Sequence, residues 1–141
     1  MKVTNLKLLA NSDKDLRVIA AHLQDSIVSA KDIENLKKNR IFLIQLNRFM
    51  WEDVEKGVFR KNKRIRTILK FDNVTSVLAK NININDNKIF LDFLTIESNL
   101  LPDKSYEIKL IFSKDSVIKI KAEVIDVTLD DQGLPLSLIH I

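Results

Sequence analysis

The chain has 141 residues, 45% hydrophobic and 30% charged, and carries a formal net charge of +4 at pH 7. That is the size of a single domain, 1–141, able to bury roughly two-thirds of its unfolded surface around one core. It contains no cysteine, which removes disulfides, thiolate nucleophiles and sulfur-based metal sites, and its only glycines, Gly57 and Gly133, are too far apart for a Walker A loop or a dinucleotide fingerprint.

Only two histidines occur, His22 and His140, so one chain cannot build a three-histidine metal site, and neither metal nor cofactor is expected. The longest apolar runs, such as "IFLI" (41–44), are far too short to span a bilayer. The N-terminus lacks a secretory core, so a cytoplasmic location without a membrane partner is expected. Charge is distributed unevenly. Residues 1–70 carry 16 Lys/Arg against 8 Asp/Glu, residues 71–141 carry 7 against 11, and all six arginines lie in the first half.

In chain order, "LKLLA" (6–10) is short and extended. "NSDKDLRVIAAHLQDS" then reads as a helix, with Ser12 as N-cap, Asp13 and Asp15 on the positive end of the dipole, and Leu16, Ile19, Ala20 and Leu23 forming one apolar stripe. "IVSAKDIENL" is extended, "KKN" turns, and "RIFLIQLNRFMW" is a long strand. "IRTILKF" (65–71) alternates Ile65, Thr67, Leu69 and Phe71 against Arg66 and Lys70, as a half-buried strand does. "VTSVLA", "KIFLDFLTI" and "YEIKLIF" follow as strands, with a turn at Pro102 and Asp103. "SVIKIKAEVIDVTLD" changes phase. Ile118, Ile120, Ala122 and Val124 share one parity while Ile125, Val127 and Leu129 take the other, which calls for a bulge or sharp bend near Val124–Ile125, or else a strand buried on both faces.

Candidate functional residues fall in three places. His22 and Asp25, at i and i+3 on the flank of the helix, suit a carboxylate-oriented imidazole, or simply a satisfied surface histidine. "LNRFMWE" brings together Asn47, Arg48, Trp51 and Glu52. Trp and Arg are common interface anchors, and Arg48 has the chemistry to clamp a carboxylate or phosphate; the plainer reading is a packed strand end. "FRKNKRIR" concentrates Arg60, Lys61, Lys63, Arg64 and Arg66 in a basic patch suited to nucleic acid, although Phe59 is the only aromatic within it. The neighbouring carboxylates Asp130 and Asp131 face opposite ways on a strand and so do not form an acid–base pair.

The blocks "LKLLANSDKDLRVIAAHLQDSIV", "RIFLIQLNRFMWE" and "RKNKRIRTILKFDNV" together resemble an alphaproteobacterial family of unknown function, domain of unknown function 2948, over about residues 5–130. The tail "DQGLPLSLIHI" departs from the Gly-Pro-Trp ending of such proteins. The resemblance implies a bacterial, cytosolic, single-domain protein and carries no activity or cofactor with it.

These observations predict an α+β domain, with one N-terminal helix packed on a curved, mainly antiparallel sheet or partial barrel of about six to seven strands. The function expected is a non-enzymatic protein-interaction module that binds a protein partner or a second copy of itself. RNA binding through residues 60–66 is an alternative. An enzyme acting on an anionic small molecule, with His22 as base and Arg48 as clamp, is a third.

Overall fold

Residues 6–50, 64–83, 85–86 and 88–132 are described by the structure, a computed structural model. They form β1 (Lys7–Ala10), α1 (Asp13–Leu23), β2 (Ile27–Ser29), β3 (Ile33–Leu36), β4 (Ile41–Phe49), β5 (Arg64–Phe71), β6 (Val74–Lys80), β7 (Phe90–Leu100), β8 (Tyr106–Phe112), β9 (Val117–Ala122) and β10 (Val127–Asp131).

The helix forms where its cap and stripe predict. Ser12 is extended, and its hydroxyl accepts from the Asp15 N–H at 3.2 Å. Leu16, Ile19, Ala20 and Leu23 are all buried, chiefly against β7. With Gln24 off the helix and Asp25 at φ 64°, the chain leaves in a left-handed turn that a short polar side chain tolerates.

All strand pairings are antiparallel, in the order β1-β10-β5-β4-β2-β7-β8-β9-β6, with β3 beside β4. The sheet is not closed. Its path among the described residues ends at β1 and β6, and it holds ten described strands rather than the six or seven expected. Two divisions account for most of the excess. "IVSAKDIENL" breaks at a 3-10 turn, Ala30–Asp32, so that β2 and β3 lie one after the other along β4. The phase change in "SVIKIKAEVIDVTLD" is a corner at residues 123–126 that separates β9 from β10.

At that corner β5 also bends into β6, and both chains stay paired across it. Asp72 N–H donates to Asp126 O at 2.9 Å and Glu123 N–H donates to Asn73 O at 3.0 Å. A two-stranded ribbon thus turns from one part of the sheet into the other, which is how strands bend to wrap a shared core. Bulges shift the inward parity in β7, from Phe93 to Ile96, and near the start of β6.

One core cluster unites both parts of the sheet with the helix, from Leu16 and Leu23 to Phe42, Leu69, Phe93, Ile108, Ile120 and Leu129. Phe42 lies against Phe71 at 6.0 Å and Phe93 meets Phe112 edge-on at 5.8 Å. Both separations fall in the favourable range for aromatic pairs. Among the described residues, no helix is long and apolar enough to cross a membrane.

Candidate functional site

Period-2 alternation along β4 sends Phe42, Ile44, Leu46 and Arg48 to the interior and Ile41, Leu43, Gln45 and Asn47 outward. Arg48 therefore sits among core side chains at 0% exposure. There it meets Asp131, the inward residue at the end of β10. Nε donates to Oδ1 at 2.8 Å and Nη2 to Oδ2 at 2.6 Å, a bidentate fork. The same carboxylate accepts from the Thr67 hydroxyl at 2.6 Å and from the Leu6 N–H at 2.8 Å. Burial pushes the Asp131 carboxyl up, but the Arg48 guanidinium, the Thr67 hydroxyl and the Leu6 N–H outweigh it and hold the group below its usual range. Four strands are tied at one point, since Arg48 belongs to β4, Thr67 to β5, Asp131 to β10, and Leu6 immediately precedes β1.

On the opposite face, the outward residues of the same strands line a groove of about 550 Å³. Leu9, Leu36, Ile41, Leu43 and Ile68 give it an apolar floor and walls, while Lys7, Lys70 and Asp130 stand among them. The register explains the grouping, because Leu9 opposes Thr128, Lys70 opposes both Thr128 and Leu43, and Ile68 opposes both Asp130 and Gln45. Leu9 is 72% exposed, a large cost for a leucine left in water. The basic turn Lys37–Asn39 follows Leu36 directly, and its Lys37 lines a separate depression with Arg40 and Val74.

The predicted site residues are divided by these faces. Arg48 is enclosed and forks onto Asp131 on the inner face of β4, not on the outer face where a surface anchor would lie. The reason is its strand parity, which it shares with Phe42, Ile44 and Leu46. Asn47 and Arg66 are cross-strand partners on the outer face. Arg64 lies in the next outward position of β5 and donates from Nη1 to Asp25 O at 2.9 Å and to Asn47 O at 3.1 Å. Asp25, Asn47, Arg64 and Arg66 are thereby brought together, with Arg64 fastening the turn after the helix to β4. His22 is half-buried in the last turn of α1. Trp51, Arg60, Lys61 and Lys63 lie outside the described residues.

Asp131 and the groove-lining leucines are absent from the sequence-derived candidates. The inward parity of Thr67 and the opposed faces of Asp130 and Asp131 are both legible in sequence. What sequence alone lacks is the register that sets Asp131 beside Arg48. A faint signal for the groove is the run "IFLI", apolar on both strand faces.

Fold and faces together define an α+β protein, with one α-helix on an open, ten-stranded antiparallel sheet among the described residues. The chain belongs to the family described as "Protein of unknown function (DUF2948)", which it matches over residues 6–139. No curated protein and no solved structure matches the chain.

Proposed function

We propose that this protein is a non-enzymatic interaction module whose groove on the outer face of β1, β10, β5 and β4 receives an amphipathic segment of a protein partner. The observation that carries the reading is the contiguous apolar surface of Leu9, Leu36, Ile41, Leu43 and Ile68 on a sheet face that, among the described residues, no helix covers. Exposed apolar surface of this kind, rimmed by polar residues, is characteristic of protein-binding sites. Lys7 and Lys70 outnumber Asp130 in the lining, so the segment carries acidic residues flanking its apolar face.

The test uses a peptide with leucines on one face and glutamates at the flanks, titrated into the purified protein. Saturable binding that weakens with salt and is lost in Ile68→Glu, with the fold intact by circular dichroism, is the expected result. Equal binding by the wild type and Ile68→Glu overturns it. A concentration-dependent dimer that Ile68→Glu abolishes would make the occupant a second copy. Arg64, Arg66 and Lys70 alternate outward along β5 and favour RNA as a second reading, and an RNA oligonucleotide serves as the comparison arm.

A further inference from the structure

A second depression lies on the sheet where β2 gives way to β3. The rung Ile27–Asn47 belongs to β2 and the rung Ile33–Ile44 to β3, so Gln45 and Leu46 fall between them. Along that stretch β4 has a 3-10 turn, Ala30–Asp32, beside it instead of a strand. The missing rungs leave a small pocket of about 130 Å³, room for roughly four waters at ~30 Å³ each.

Its lining is rich in hydrogen-bond donors. Ser29, Lys31, Gln45, Asn47 and Arg66 surround it, together with Asp32. Ser29 is 6% exposed and its Oγ has no hydrogen-bond partner, an unfavourable state for a buried hydroxyl. Among the described residues, the Arg66 guanidinium reaches only Gln45 Oε1, at 3.4 Å, a long contact that leaves most of its donors uncommitted by them. With two cations and one carboxylate, the lining carries a net charge of +1. Ile27 and Phe90 complete the walls with apolar surface, which lowers the local dielectric and strengthens a charge-assisted contact.

We infer that this pocket is a binding site for a small, singly charged oxyanion. Arg66 and Lys31 supply the charge, Asn47, Gln45 and Ser29 donate to the oxygens, and Asp32 accepts from any oxygen that keeps its proton. A second carboxylate in the lining would have cancelled the net charge, and a larger ligand would not fit the volume. The site does not depend on the groove or on its partner. Within the basic cluster read from sequence, it assigns anion recognition to Arg66 and its neighbour Asn47, while Arg48 serves the core.

Backbone amide shifts followed during titration with sodium phosphate and, separately, sodium acetate test the site against sodium chloride at matched ionic strength. Saturable shifts at Ser29, Gln45, Asn47 and Arg66, with a dissociation constant on the order of 1 mM, are expected for at least one of the two anions. Whichever anion saturates identifies the group as phosphoryl or carboxylate. Arg66→Ala and, independently, Lys31→Ala should each weaken binding by about tenfold, with the amide spectrum elsewhere unchanged. Shifts that grow linearly and match those in chloride, or that persist unaltered in both variants, overturn the proposal.

Discussion

Arg48 and Asp131 carry opposite charges at 0% side-chain exposure, and the consequences of changing either follow from that burial. Asp131→Ala takes the carboxylate away from a buried guanidinium and should cost roughly 3–5 kcal/mol of unfolding free energy in urea. An apolar replacement of the whole cluster behaves differently. Arg48→Met with Thr67→Val and Asp131→Leu removes the charges and the hydroxyl together, so it should recover most of that loss. A triple variant no more stable than Asp131→Ala would mean that the hydrogen bond from Leu6 N–H, rather than charge pairing, dominates. Acid titrates the same group. The folded-state pKa of Asp131 is lowered, so its contribution is fully present above the unfolded value of about 3.9 and disappears as pH falls through the folded value. Asp13, hydrogen-bonded by Ser98, and Asp103, held at about 2 by Ser105 and Lys121, are depressed in the same direction. Urea midpoints measured downward from pH 5 should therefore fall for the wild type and fall less steeply for Asp131→Asn, which starts from a lower value. Identical slopes would exclude Asp131 as a contributor.

At the level of elements, local signals were readable wherever local physics decides. The Ser12 cap and the stripe from Leu16 to Leu23 place α1 correctly, and "YEIKLIF" coincides with β8 residue for residue. Sequence was least informative where the chain turns without glycine or proline. Ala30–Asp32 has no breaker residue, yet it divides one extended segment into β2 and β3 and opens the small pocket beside β4. The hairpin between β8 and β9 shows the same economy. Lys114 and Asp115 both sit at φ 59°, with Ser116 N–H donating to Ser113 O at 3.3 Å, in the manner of a type I′ turn built without its preferred residues. Left-handed backbone costs a non-glycine residue about 1–2 kcal/mol, against about 0.5–1 kcal/mol for glycine's extra freedom in the unfolded chain. Asp115→Gly should therefore stabilise the protein by about 0.5–1 kcal/mol, read as a rise in thermal midpoint. The Asp115 carbonyl, which accepts from Asn81 Nδ2, is retained in that variant. A drop in midpoint would show that the aspartate side chain contributes more than the backbone strain it imposes.

Strand order at the scale of the whole molecule redistributes the charge asymmetry of the sequence. β10 comes from the acidic half but lies between β1 and β5 of the basic half, so Asp130 stands opposite Lys7. Arg40 and Glu123, also from opposite halves, form an ion pair. A division that is sharp along the chain is thus partly neutralised in space. This was not legible beforehand because periodicity reports which face a residue takes and is silent on which strands become neighbours. The same arrangement has a consequence in time. Arg48 and Asp131 are 83 residues apart, and Leu6 and Asp131 are 125 apart. Closing loops of that length must be paid for before the contacts reward it, and such distant pairings slow folding. Until β10 arrives, the guanidinium on the inner side of β4 lacks the Asp131 carboxylate, on a face destined for the interior. The sheet therefore does not dry from its first strands outward; β10, the last of the described strands in chain order, decides when the core closes.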